Sequence, residues 1–192
     1  MSDAAPAGAA GTSGGSEVVL VTGISGSGKS VALHALEDAG YFCVDNLPPE
    51  LLREFIRLEQ QRFTSRVAVA VDVRTAVSLP QLLPLVAQLR AEGLRSRVLF
   101  LDASTDTLVR RFSESRRPHP LSVSAVEGEL SRALIEALEL ERELLAGVRE
   151  IATVIDTSQL RPAQLRAWVR GLVGQTRSTL TLVFESFAFK HG

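Results

Sequence analysis

The stretch LVTGISGSGKSVAL, residues 20–33, contains glycines, a lysine and a serine at fixed offsets between an apolar run and a helical pattern. The spacing Gly-x4-Gly-Lys-Ser runs from Gly23 to Ser30. Glycines let backbone N–H groups curl around phosphate oxygens without a clash from Cβ, and a helix start adds its dipole. Lys29 supplies a charge for the β/γ-phosphates and Ser30 a hydroxyl ligand for Mg²⁺. Residues 23–30 are therefore predicted to be a phosphate-binding loop, hereafter the P-loop.

A glycine- and serine-rich turn that merely joins a strand to a helix is the alternative interpretation of this stretch. From average residue frequencies, the spacing would arise by chance in roughly one of a hundred-odd chains of this length. The strand pattern before it and the helix pattern after it make an accidental match rarer still. Phosphate binding is therefore the favoured interpretation.

Length and composition describe a globular chain whose charge is balanced. The chain has 192 residues, 45% of them hydrophobic, and a formal net charge of −1 from 21 basic and 22 acidic residues. That balance gives no general attraction to nucleic acid or membrane, and no apolar run approaches the roughly 18 residues that span a bilayer. The single cysteine, Cys43, excludes an intramolecular disulfide, and we expect a reducing, cytoplasmic location. Residues 1–16 are expected to be a disordered lead-in.

Apolar runs alternate with helical patterns along the rest of the chain, which predicts an α/β fold. We expect a P-loop NTPase three-layer sandwich, similar to kinases, with a parallel five-stranded sheet in the order 2-3-1-4-5. The helix after the third strand is expected to be interrupted near Pro84. The domain is predicted over 17–175, and 176–192 is predicted to be a linker and strand that begins a further domain. The expected strands are 18–23, 41–45, 66–74, 97–104 and 151–158.

Four of the predicted strands have an aspartate at or near their end, at Asp45, Asp72, Asp102 and Asp156. The carboxyl ends of parallel strands form the ligand-binding edge of an open sheet, so a carboxylate there can hold Mg²⁺ or its water shell. The run VAVAVDVR best fits a Walker B strand, which makes Asp72 the leading metal and catalytic candidate and Asp102 the second. The alternative is that these side chains cap the next turn or helix. Asp45 has two open interpretations, an acceptor-binding carboxylate or a turn residue.

Four arginines lie close together in LVRRFSESRRPHPLS, residues 108–122. Such a cluster could close over a triphosphate and stabilise charge during phosphoryl transfer. Arg110, Arg111, Arg116 and Arg117 are therefore catalytic candidates. The alternative is a solvated helix end with ion pairs to Glu114. His119, between two prolines, is interpreted as a turn residue.

Several further motifs resemble the RapZ/YvcJ family of bacterial P-loop nucleotide-binding proteins. In chain order they are GISGSGKSVALHALEDAGYFCVDNLP, VDVR, LFLDAS, LVRRFSESRRPHPLS, IDTS and LVFESFAFKHG. The P-loop is common to many families, whereas YFCVDNLP, RRPHPLS and FESFAFKHG are far more specific. The resemblance covers the chain from about Val18 to Gly192. It implies a domain that binds ATP and GTP, with Mg²⁺, and hydrolyses both slowly.

The resemblance also implies two sets of binding residues. An ATP site carries over to Gly23, Ile24, Ser25, Gly26, Ser27, Gly28, Lys29 and Ser30. A guanine-nucleotide contact carries over to Asp72, Val73, Arg74 and Thr75. The second assignment competes with Asp72 as a metal ligand, because a side chain at the end of a core strand should lie near the phosphates. We favour the metal role and keep the stretch as nucleotide-binding.

Two departures from the family pattern matter for function. Ala188 stands where the family usually has glycine, and the chain stops at Gly192 although family members continue into a second domain. In longer relatives that domain is linked to small-RNA binding, to an RNase partner and to sensing an amino-sugar phosphate. We therefore expect this chain alone not to bind RNA tightly. A homo-oligomer is compatible with the sequence.

Three functions remain open at this point. The first is a regulatory or adapter NTPase of the RapZ/YvcJ type. The second is a small-molecule kinase that uses the same P-loop and arginine cluster. The third is an adapter that binds nucleotide as a switch and turns over negligibly.

Overall fold

Five short strands form the centre of the described part of the molecule. A computed structural model describes residues 16–72, 79–115, 119–121 and 130–174. All neighbouring strands pair in parallel, in the order β2-β3-β1-β4-β5. This confirms the predicted sheet and its order. The strands are β1 (Glu17–Gly23), β2 (Phe42–Val44), β3 (Arg66–Ala70), β4 (Arg95–Asp102) and β5 (Thr153–Asp156).

Helices connect successive strands, as parallel pairing requires. Ser104 caps the fourth of them, because its Oγ accepts the Thr107 N–H at 3.4 Å. Gly28 lies directly before the first, so the P-loop and the start of that helix are continuous. The helices are α1 (Lys29–Asp38), α2 (Pro49–Gln61), α3 (Leu79–Ala91), α4 (Thr105–Ser115), α5 (Leu130–Glu150) and α6 (Pro162–Gly174).

Some boundaries differ from the sequence expectation. The predicted third strand, 66–74, ends at Ala70, although the Val71 N–H still donates to the Val21 carbonyl at 2.9 Å. The expected interruption near Pro84 is wrong, since α3 continues through that residue. Loss of one backbone hydrogen bond is tolerated there because Leu82, Val86 and Leu89 stay buried on one side of the helix. The predicted linker and strand over 176–192 lie outside the described residues.

The central strand β1 is buried on both faces, which explains its uninterrupted apolar sequence. Val18 and Leu20 pack into a core with α2, α3, α4 and α5, and Val19 and Val21 pack into a second core with α1 and α6. The result is the predicted three-layer arrangement. No helix among the described residues is both long and apolar enough to cross a bilayer.

Parallel pairing brings the carboxyl ends of the strands to one edge of the sheet. Gly23 on β1 is registered with Leu101 on β4, and Asp102 on β4 with Asp156 on β5. The predicted site residues therefore meet at this edge, where ligands bind in open α/β sheets.

Candidate functional site

The P-loop backbone adopts a conformation that requires glycine at specific positions. Gly23, Gly26 and Gly28 have φ angles of +133°, +83° and +107°. At Gly23 the neighbouring strand also comes very close, since an added Cβ would lie 2.0 Å from the Leu101 carbonyl oxygen. The N–H of Ile24 donates to that same carbonyl at 3.0 Å. The first glycine of the motif thus lets the loop leave β1 while packed against β4.

Lys29 and Asp72 face each other across the start of this loop. Lys29 Nζ donates to the Gly23 carbonyl at 2.6 Å and lies 3.8 Å from Asp72 Oδ1. Both side chains are largely buried, with 13% and 19% exposed. Asp72 reaches this position because it lies two residues beyond the end of β3, which pairs with β1. The structure therefore brings together the two residues that the sequence singled out for phosphate and metal.

A cleft of about 590 Å³ opens over these groups. Its wall combines P-loop backbone, the Lys29 amine, the Asp72 carboxylate and the Ser30 hydroxyl, so it offers donors for an anion beside oxygen ligands for a cation. The lining residues are Ser25, Gly26, Gly28, Lys29, Ser30, Val31, Asp72, Arg111, Phe112, Ser115 and Pro120.

A second cleft, of about 760 Å³, shares the P-loop wall and extends toward β5 and α6. Arg110, Arg111 and Glu114 border it on one side, and the connection 157–162 borders it on the other. Gly26 and Gly28 line both clefts. The P-loop thus forms a wall shared by two clefts, one with Lys29 and Asp72 and the other with Arg110 and Glu114.

Among the described residues of the arginine cluster, Arg111 is hydrogen-bonded to the P-loop. Its guanidinium donates to the Gly26 carbonyl at 3.0 Å and to the Thr157 carbonyl at 2.7 Å. Thr157 in turn donates from Oγ1 to the Ser27 carbonyl at 2.8 Å. Burial, followed by the like charge of Arg110, lowers the pKa of Arg111, although a guanidinium stays protonated at neutral pH. Arg111 therefore ties α4 and the β5 end to the loop.

Of the other three arginines of the cluster, the structure describes Arg110. Arg110 borders the second cleft next to Glu114. Arg116 and Arg117 lie outside the described residues, as do Val73, Arg74 and Thr75 of the guanine-nucleotide assignment. The structure thus places Lys29, Ser30, Asp72 and Arg111 on one cleft, with Arg110 on the adjoining one.

A buried carboxylate on α5 also contacts the P-loop. Glu141 Oε2 accepts the Ser25 N–H at 2.9 Å, and Oε1 accepts the Ser25 hydroxyl at 2.9 Å. His119 Nε2 lies 2.9 Å from the same Oε2, and neither the histidine nor the glutamate side chain is exposed. The His119 ring also packs on Phe112, 5.3 Å between ring centres. His119 is thus a buried partner of Glu141, and its Nδ1 accepts the Leu121 N–H in the turn that follows.

Sequence reasoning missed Glu141, although its position carried a signal. Leu138, Leu145 and Val148 form the buried stripe of α5, and Glu141 occupies a position in that same stripe. A charged residue at a core position is rare unless it is paired. The helix contains several other glutamates, however, so its overall charged composition masked the one that points inward.

The charge on Glu141 is stabilised despite its burial. Burial by itself raises the pKa of this carboxyl group. The hydrogen bond from His119, the charge of Lys29 and the two hydrogen bonds from Ser25 outweigh burial, so that the pKa is lowered overall. Glu141 is therefore an ionised, fully buried group at neutral pH.

The remaining strand-end aspartates serve the local structure. Asp102 lies 3.7 Å from Arg142 and 3.8 Å from Arg149, and accepts the Ala103 N–H at 2.8 Å. Hydrogen bonds from Ser158 lower the pKa of Asp156, whose carboxylate closes the turn after β5. Asp156 thus makes contacts within a turn, whereas Asp102 pairs with two arginines of α5. Asp45 follows β2 and is exposed.

Comparison with a family described as "RapZ-like N-terminal domain" gives a match over residues 16–177. The chain belongs to the RapZ-like family. A relative named "Nucleotide-binding protein" from Leptothrix cholodnii is 69% identical over 176 residues, which cover 91% of this chain and 55% of the relative. A nucleotide-binding protein from Methylibium petroleiphilum is 70% identical over 181 residues, covering 92% and 59% respectively. The chain thus spans less than two thirds of the length of these RapZ-like relatives.

Solved structures share the fold of this RapZ-like chain at low sequence identity. Shikimate kinase from Acinetobacter baumannii, in complex with shikimate, gives a TM-score of 0.54 at 16% identity, covering 85% of this chain and 96% of that one. Shikimate kinase from Bacteroides thetaiotaomicron gives 0.51 at 14% identity, covering 82% and 97%. The likeness establishes a P-loop kinase-like fold and carries no information on substrate.

Proposed function

We propose that this chain binds a nucleoside triphosphate in the cleft at the P-loop and slowly hydrolyses ATP and GTP. The observation that carries the proposal is the convergence of Lys29, Ser30 and Asp72 on the cleft formed by the P-loop. Lys29 forms a weakly screened ion pair with Asp72 and donates to a backbone carbonyl, so it is positioned to exchange that carbonyl for a phosphate oxygen. The names of the RapZ-like relatives support nucleotide binding.

The donor set at the cleft suits Mg²⁺. Ser30 and Asp72 offer oxygen atoms, and Mg²⁺ prefers oxygen ligands, one or two of them from protein and the others from phosphates and water. In the described ranges no group of three His, Cys, Asp or Glu side chains could hold a metal unaided. Ser30 and Asp72 would therefore hold Mg²⁺ together with the nucleotide. When bound, Mg²⁺ would neutralise charge on the transferred phosphate.

Arg111 and the second cleft suggest how the rest of the nucleotide is oriented. We infer that the triphosphate lies along the P-loop and that the base extends over Gly26 and Gly28 into the cleft bordered by Arg110 and Pro162. Asp72 would then lie at the phosphate end, 3.8 Å from Lys29, which favours its metal role over a contact to a guanine base. Arg111, fixed against the loop, would stabilise charge on the phosphates.

Phosphate release from Mg·ATP and Mg·GTP tests the proposed activity, with Asp72→Asn as the informative variant. We expect Asp72→Asn to lower release about tenfold or more, while metal-free nucleotide affinity changes less, because the variant loses an ionised metal ligand. Asp102→Asn is the matched control, since both carboxylates lie at the same edge of the sheet and are 19% exposed, but Asp102 pairs with α5. Its turnover should be unchanged.

Other outcomes of the same experiment favour the competing functions. Loss of GTP turnover with retention of ATP turnover in Asp72→Asn would support the guanine contact and contradict the metal role. Phosphate transfer that requires a small-molecule acceptor, with no release to water, would indicate a kinase. Nucleotide that is bound and never hydrolysed would indicate a switch.

A further inference from the structure

Glu141 contacts the P-loop at Ser25, a residue that lines the first cleft. It is fully buried, lines neither cleft, and bonds both the N–H and the hydroxyl of Ser25. Ser25 is separated from Glu141 by 116 positions in the chain, so the contact is tertiary and joins α5 to the loop. The N–H of Ser25 is thereby committed to a protein carboxylate.

The hydrogen-bond pattern requires an acceptor with two free oxygens. His119 Nδ1 accepts the Leu121 N–H at 3.1 Å, so in the neutral ring the proton is on Nε2 and is donated to Glu141. Glu141 thus receives three donors, two on Oε2 and one on Oε1. An ionised carboxylate satisfies all of them, whereas a glutamine would turn an NH₂ donor toward at least one of the donors.

We propose that Glu141 is a positioning residue for the phosphate site, which holds the turn at Ser25 in the conformation that binds triphosphate. This inference rests on the proposed function, because the property that it explains is nucleotide affinity. Glu141 acts through Ser25 and does not touch the ligand. Arg111 on the Gly26 carbonyl and Phe112 against Gly26 hold the next residue of the loop, so three side chains from α4 and α5 contact positions 25 and 26.

Removal of the Glu141 carboxylate has two opposite effects on the affinity for nucleotide. A carboxylate behind an anion site repels phosphate, so that its removal would tighten binding if repulsion dominated. The positive charge of Lys29 near Glu141 offsets that repulsion, as does the hydrogen bonding that already stabilises the carboxylate. Loss of a fixed loop geometry instead weakens binding, because the ordering of the loop must then accompany association. We expect the second effect to prevail.

Calorimetric titrations with Mg·ATP compare Glu141→Gln with Glu59→Gln, at temperatures where each variant is fully folded. Glu59 is a matched control, a buried glutamate on α2 that accepts the Thr64 hydroxyl at 2.9 Å. We expect Glu141→Gln to bind about tenfold or more weakly, the scale of a lost charged hydrogen bond, and Glu59→Gln to bind normally. Unchanged or tighter binding by Glu141→Gln would overturn the proposal.

Hydrogen exchange of the Ser25 amide, measured without nucleotide, gives an independent readout. Protection should fall in Glu141→Gln and persist in Glu59→Gln, whereas equal protection in both would contradict the positioning role. If Glu141→Gln does not fold, Ser25→Ala is used instead, because it removes the hydrogen bond to Oε1 of Glu141. It should weaken the binding of Mg·ATP by roughly three- to tenfold. Unaltered affinity in Ser25→Ala would also overturn the proposal. Failure of the unmodified chain to bind Mg·ATP would refute the proposed function separately, since the amide measurement needs no ligand.

Discussion

Gly23 and Lys29 show how two residues of one loop serve different purposes. Gly23 is required by backbone geometry, because β4 passes so close that its Leu101 carbonyl occupies the space of a side chain. Lys29 brings a charge to the cleft, because its amine lines it 3.8 Å from Asp72. A substitution at the first should therefore alter stability, and one at the second should alter binding.

Gly23→Ala should lower the free energy of unfolding by about 3 kcal/mol or more, since a backbone clash at 2.0 Å forces the strand and loop apart. Gly40→Ala is the matched control, because Gly40 also has a positive φ, +85°, but no atom lies within 4 Å of the added Cβ. That control should cost only the left-handed penalty of about 1–2 kcal/mol. Urea denaturation measures both, and equal losses would contradict the close-packing argument.

The residues whose placement the sequence predicted well are those that lie close together in the chain. Gly23, Lys29 and Ser30 follow one another at fixed spacing, so their common role could be inferred from the P-loop alone. Glu141 and His119 act through contacts between distant segments, which spacing does not encode. Asp72 could be predicted in part, because the strand pattern indicated its place at the sheet edge but not its ion pair with Lys29.

At the scale of elements, α3 shows how packing overrides a local signal. Pro84 lacks an N–H and predicted an interruption, yet the helix runs continuously from Leu79 to Ala91. Pro84 is exposed, whereas Leu82 and Val86 on the opposite side fill the core. Tertiary burial thus offsets the missing hydrogen bond, which no local pattern could have predicted.

Pro84→Ala should raise the free energy of unfolding by about 1–2 kcal/mol, because it restores an N–H and a favourable helix residue, partly offset by a more flexible unfolded chain. Pro162→Ala is the control, since Pro162 is the first residue of α6, where proline costs no hydrogen bond. Thermal unfolding without nucleotide compares the two. If the free energy of unfolding rises as much in Pro162→Ala as in Pro84→Ala, the proline in α3 is not a particular source of instability. The same conclusion follows if Pro84→Ala does not raise it.

At the scale of the whole molecule, the order of the sheet determines where chemistry can occur. The alternation of apolar runs with helical patterns predicted a parallel sheet, and the order β2-β3-β1-β4-β5, expected for a P-loop fold similar to kinases, places the P-loop strand at the centre. With β3 and β4 on either side, the loop after β1 receives Asp72 from one neighbour and the Leu101 carbonyl from the other. The domain limits 17–175 and the weak RNA binding of this chain stay predictions.

Titration of Mg·ATP into the unmodified chain and into Lys29→Ala tests most directly whether the cleft is a triphosphate site. Lys29→Ala should stay folded and bind about ten- to a hundredfold more weakly, since a charged contact to phosphate contributes roughly 1.5–3 kcal/mol. Arg57→Ala, on the exposed face of α2, removes the same unit of charge away from the cleft and should bind normally. Equal affinity of Lys29→Ala and the unmodified chain, with both folded, would contradict triphosphate binding at the P-loop.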